Sequence, residues 1–155
     1  MRIVYESLFR RGLGGGAGRV AHELARHMAK REDVLLVCAA DQAGLHVDET
    51  GTRVYGIRSA GDGDFEMPEL TASVVGRLFD LLDAFDPDIV HAHDPALIGL
   101  ICQVWARMRR VPFVYTSHVI PQRAMEFGAG DALETNLTGT AFGESFARRL
   151  LIDFL

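Results

Sequence analysis

Three short segments carry the residue types from which a site could be built. Gly14-Gly15-Gly16-Ala17-Gly18-Arg19 precedes a helical pattern. Glycines let a ligand approach the backbone closely, and a helix start adds exposed N–H groups and partial positive charge, so this segment suits phosphate or another anion. His91-Ala92-His93-Asp94 follows one apolar run and Ser117-His118 follows another. Imidazoles there could position a substrate by hydrogen bonding or move a proton near neutral pH. The plain alternatives are a ligand-free turn and histidines that only satisfy their own loops. His91 and His93 also have the spacing of a metal half-site. No second His, Cys or carboxylate cluster at ligand spacing accompanies them, so no metal is expected. Of the two, His91 is expected to face the interior and His93 to line a crevice. Ser117 lacks the GxSxG context of a serine nucleophile. Cys38 and Cys102 sit in apolar runs with no CxxC partner and are expected as buried, reduced thiols.

The elements that must position these residues follow from apolar spacing. Arg2 to Glu6 reads as a strand. Val20, Ala21, Leu24, Ala25 and Met28 recur at helical steps. Val34 to Cys38 is a continuous apolar run, as in a strand buried on both faces, and Thr52 to Ile57 is a further strand candidate. A helix is expected from Pro68, with Leu70, Val74, Leu78, Leu81, Leu82 and Phe85 as its stripe, stopped at Asp86-Pro87-Asp88. Ile89 to His91 is a short strand, Asp94-Pro95 starts another helix that ends in Arg107, Arg109 and Arg110, and Pro112 to Thr116 is a strand. Residues 117–140 read as a loop, followed by a helix from about Ala141. Alternating strands and helices imply an α/β fold, a Rossmann-like parallel sheet with helices on both faces. Ligands of such sheets bind beyond the carboxyl ends of the strands, where all three segments fall.

Two families of binder fit the glycine loop. Gly12-x-Gly14-x-x-Ala17, with Asp41 as a ribose acid, is a loose dinucleotide fingerprint, but Leu8 to Arg11 separate it from its strand. The better fit is an ordered set of three motifs. They are Gly15-Gly16-Ala17-x-Arg19-Val20-x-x-x-Leu24-Ala25, Asp86-Pro87-Asp88-Ile89-Val90-His91-Ala92-His93-Asp94-Pro95, and Val111-Pro112-Phe113-Val114-Tyr115-Thr116-Ser117-His118. In this order they resemble the amino-terminal domain of family 4 retaining glycosyltransferases. That resemblance implies half of a GT-B architecture, in which two Rossmann-like domains face a cleft. The amino-terminal domain mainly binds the acceptor, and the other holds the nucleotide-sugar donor. It further implies no cofactor and no bound metal. Gly15 and Gly16 would border the donor diphosphate and the acceptor, and Arg19, also a substrate-binding candidate, would sit at the same helix start. His118 would approach the transferring sugar as the catalytic residue. His93, Asp94 and Ser117 would lie on the substrate side. Gly18 stands where the family often has an acidic residue, so a contact by that side chain is in doubt.

Composition narrows the remaining choices. The chain has 155 residues, 48% of them hydrophobic and 24% charged, with a net charge of -5. That is one domain's length, and it excludes a disordered tail and a dedicated nucleic-acid binder. The longest apolar stretch, Ala96 to Cys102, falls short of the ~18–20 residues of a membrane span. With no signal-peptide pattern, a cytoplasmic location is expected. Ser117 to Arg123 resembles the acceptor loop of members that glycosylate lipids, so a lipid or small-molecule acceptor and peripheral membrane contact both fit. The run Leu150 to Leu155 is apolar. A domain over residues 1–155, cut before its last strand and without its donor half, is therefore expected, and alone it would be inactive. The alternatives are a nucleotide-binding Rossmann domain, or a non-catalytic domain that dimerises through the apolar carboxy-terminal helix.

Overall fold

The computed structural model describes residues 1–13, 15–60, 67–94 and 97–118. The expected helix from Ala141, the apolar run at Leu150 to Leu155, Pro95 and the chain from Val119 onward lie outside the described residues. The elements run β1 (Arg2–Ser7), α1 (Gly15–Met28), β2 (Asp33–Ala40), β3 (Gly44–Val47), β4 (Arg53–Ala60), β5 (Met67–Pro68), α2 (Ala72–Phe85), β6 (Ile89–Ala92), α3 (Leu97–Arg109) and β7 (Phe113–Tyr115). The fold is Rossmann-like α/β. β1 pairs in parallel with β2 on one side and β6 on the other, and the parallel order is β4-β2-β1-β6-β7. From β1 the chain winds outward to β4, then returns and winds the other way from β6 to β7. The direction therefore reverses between β1 and β6, which is where doubly wound sheets open a ligand crevice.

Side chains leave a strand on alternate faces, and the core divides accordingly. Val4, Leu35, Val37, Tyr55, Ile57 and Val90 pack with Leu78, Leu82 and Phe85 of α2 and Ile98, Cys102 and Trp105 of α3. Ile3, Tyr5, Val34, Leu36, Cys38 and Val54 pack with Ala25 and Met28 of α1. Asp83 ties α2 to α3: its Oδ1 accepts from Trp105 Nε1 at 2.9 Å and Arg109 Nε at 2.7 Å, and its Oδ2 from Arg109 at 2.6 Å.

Four features differ from the sequence expectation. The sheet is not wholly parallel, because β3 and β5 join β4 antiparallel. Helix α2 starts at Ala72 rather than Pro68. Pro68 pairs with Ser59, and Thr71 Oγ1 caps the helix by accepting the Val74 N–H at 3.3 Å. The buried stripe of α1 is Gly18, Ala21 and Ala25, while Val20 and Leu24 are exposed. Small residues on that line let the helix lie close to the sheet. Strand β4 runs on to Ala60, past the expected end at Ile57.

Candidate functional site

The connection from β1 to α1 is pinned at several points. Ser7 Oγ both accepts from the Phe9 N–H and donates to its carbonyl, each at 3.2 Å. His22, one turn into α1, donates Nε2–H to the same carbonyl at 2.9 Å. Burial holds its imidazole below the usual range, which suits a neutral donor. Gly18 is buried, and a Cβ there would stand 2.3 Å from the Leu13 carbonyl oxygen. An acidic side chain at this position is therefore incompatible with the loop, which explains the departure from the family pattern. Gly12 and Gly15 have φ of 87° and 56°, the left-handed region that glycine adopts without strain. Around them lies a cavity of about 290 Å³, lined by Arg11, Gly12, Gly15, Arg19, His22 and Glu23. Gly15, Gly16 and Arg19 are exposed in the first turns of α1, and a Cβ on Gly15 or Gly16 would meet nothing. The backbone is thus open to an approaching anion. Asp41, the ribose acid of the dinucleotide alternative, pairs with Arg10 at 2.6 Å.

The second part of the site lies at the carboxyl ends of β1, β6 and β7. Glu6 is fully buried on the face of β1 that meets α3. Its Oε2 accepts from the backbone N–H groups of His93 at 3.3 Å and Asp94 at 3.4 Å. Its carboxyl also hydrogen-bonds with that of Asp94. Among the described residues, the buried Glu6 Oε1 meets no N–H or O–H donor. A carboxyl–carboxyl hydrogen bond needs a proton, and Glu6 carries it: burial first, then the Asp94 charge, push its carboxyl well above the usual range. Gly99 makes room for this pair. A Cβ on it would stand 2.1 Å from the Asp94 carbonyl oxygen and 3.1 Å from Glu6 Oε2.

Beside the acids is a ladder of three imidazoles. His91 and His93 stack with centroids 4.4 Å apart, and His93 and His118 lie edge to edge, with centroids 5.1 Å apart and ring planes 18° from parallel. His93 Nδ1 and His118 Nε2 share a hydrogen bond of 2.8 Å, and His91 Nε2 bonds Thr116 Oγ1 at 2.7 Å. Burial, reinforced by the two neighbouring imidazoles, pushes His93 down to about 4, so it is neutral at physiological pH. Ser117 is exposed and hydrogen-bonded to Tyr115. Among the described residues no group of three or more His, Cys, Asp or Glu is arranged to hold a metal ion. Cys38 and Cys102 are buried, and burial pushes Cys38 up to about 12 and Cys102 well above the thiol range.

The structure brings His93, Asp94 and His118 together and places Gly15, Gly16 and Arg19 at the start of α1. It reverses the two histidines of the HxH segment. His93, expected to line the crevice, is only 3% exposed, whereas His91 is half-buried. His91 is still within β6 and pairs across to Tyr5, while His93 lies just past the strand and is drawn inward by Glu6. Sequence reasoning missed Glu6, Arg11 and His22. The available signal for Glu6 was an acid in the otherwise buried first strand.

The family model of the glycosyl transferase 4-like domain matches residues 15–154 of this chain. The chain therefore belongs to the glycosyl transferase 4-like family. No curated protein matches it. Among the described residues, no helix is long and apolar enough to cross a membrane.

Proposed function

We propose that residues 1–155 form the acceptor-side domain of a nucleotide-sugar-dependent retaining glycosyltransferase that acts on a lipid or small-molecule acceptor. The observation that carries this reading is the open glycine turn at the start of α1. It shares the carboxyl edge of one parallel sheet with the His93–His118 pair. Transfer of a sugar from a nucleotide diphosphate leaves negative charge on the departing phosphate. Exposed amides at the α1 start and the Arg19 guanidinium are suited to stabilise that charge. His118 is the group for contact with the transferring sugar, and Ser117 and Asp94 flank it. No metal or cofactor is needed in this scheme. Val104 and Met108 are exposed on α3 near Arg107 and Arg110, a surface compatible with a lipid acceptor at an anionic membrane face in the cytoplasm.

The family resemblance assigns most donor contacts to a second domain across the cleft. Residues 1–155 alone should accordingly bind nucleotide-sugars weakly and transfer nothing. Calorimetric titration with a panel of uridine and guanosine diphosphate sugars, alongside a transfer assay, tests this. Tight donor binding or turnover by this chain alone would overturn it. A thermal shift with NAD or NADP but with no nucleotide-sugar would favour the dinucleotide alternative.

A further inference from the structure

The His93–His118 hydrogen bond has two possible polarities, and the surroundings of His93 distinguish them. In one, His93 Nδ1–H donates to a bare His118 Nε2. In the other, His118 Nε2–H donates to a bare His93 Nδ1. A neutral imidazole carries one proton, so the second polarity places the His93 proton on its Nε2. That nitrogen is buried and, among the described residues, has no hydrogen-bond partner. A buried N–H without an acceptor costs about 1–3 kcal/mol, and such orphans are rarer than under-used acceptors. The first polarity leaves only a lone pair unused.

We infer that His93 is a positioning residue, which donates from Nδ1 to His118 Nε2 and thereby fixes the His118 proton on Nδ1. Three contacts hold His93 in place for this. Its backbone N–H is bonded to the Glu6 carbonyl at 3.2 Å and to Glu6 Oε2 at 3.3 Å. Its ring is stacked on that of His91 and meets that of His118 edge to edge, nearly coplanar with it. The neutral state of His93 follows from the same enclosure. Free histidine side chains favour the proton on Nε2, so the Nδ1–H form of His118 is imposed by the fold. The meaning for catalysis rests on the function proposed above. Nδ1 lies on the side of the ring away from His93, so the nitrogen left for a ligand is an N–H donor. His118 would then grip an oxygen acceptor on the substrate and would not serve as a base.

The test is long-range proton–nitrogen NMR of the full chain with 15N-labelled histidine at about pH 8, where ordinary imidazoles are neutral. His118→Gln identifies the His118 signals among the six histidines. The expected spectrum shows protonated Nδ1 and bare Nε2 at His118. His93→Asn, whose amide N–H takes the place of Nδ1–H, should preserve that pattern. His93→Phe, of similar shape but with no donor, should return His118 largely to the Nε2–H form. A wild-type His118 protonated on Nε2 overturns the inference, as does a His118 pattern unchanged by His93→Phe. Should that variant not fold, the wild-type and His93→Asn spectra still decide. No sugar donor is involved, so failure here leaves the proposed function standing, and absence of transfer leaves this result standing.

Discussion

Exposed pairs such as Arg10 with Asp41 aside, the two ends of the sheet treat their polar groups in opposite ways. At the amino ends of the strands, unlike charges meet in water: Arg2 with Asp86, and Arg53 with Asp33. At the carboxyl ends, like groups meet away from water: Glu6 with Asp94, and His93 with its two histidine neighbours. Exposed pairs of unlike charge add little to stability. Buried like groups cost stability unless every proton and lone pair is assigned. An arrangement that costs stability and sits at the topological switch point is where the proposed function has its site.

The sharpest break in this comparison should come from Gly99→Ala. The new methyl would collide with the Asp94 carbonyl and crowd Glu6. A loss of about 2–4 kcal/mol is expected in urea unfolding. Next is Glu6→Leu, which takes an oxygen away from two buried N–H groups. A loss of about 1–3 kcal/mol is expected, and a value near zero would show that the acid pair braces nothing.

Glu6→Gln sharpens the comparison by pH. A neutral Glu6 keeps its proton in the folded state while the unfolded chain gives it up above the ordinary value of 4.5. Wild-type stability is thereby reduced as pH rises through that point. His93 acts with the opposite sign. Its folded value near 4 lies below the ordinary 6.5, so its contribution is complete above 6.5 and is lost as pH falls toward 4. The stability of Glu6→Gln relative to wild type should be lowest near the ordinary carboxylate range and rise steadily with pH. A flat difference across this range would rule out the buried proton.

The smallest effect belongs to the other end. Arg2→Ala should cost less than about 1 kcal/mol, and raising the salt concentration should shrink that cost further. If Arg2→Ala rivals Glu6→Leu in chemical denaturation, the contrast between the two ends fails.

Legibility in the sequence followed the same divide. The parallel core could be read because Val34 to Cys38 and Ile89 to Val90 advertise burial by composition alone. β3 could not, since Leu45 and Val47 are exposed and the strand exists only by pairing with β4. The glycine loop and His118 were visible as types of residue at strand ends. Glu6 was not, because its meaning comes from Asp94, 88 positions away. The exchange of roles between His91 and His93 was hidden for a related reason. Alternation along a strand holds only while the strand lasts, and β6 ends at Ala92.

The two thiols offer one more consequence. Cys38 belongs to the layer under α1, and Cys102 to the layer under α2 and α3. Both are kept as unreactive thiols by burial, so an alkylating reagent must wait for the layer around each one to open. The chain therefore contains two stopwatches, one on each side of its sheet. Their labelling rates, read by mass spectrometry on the unmodified protein, report whether the two layers come apart together or one at a time.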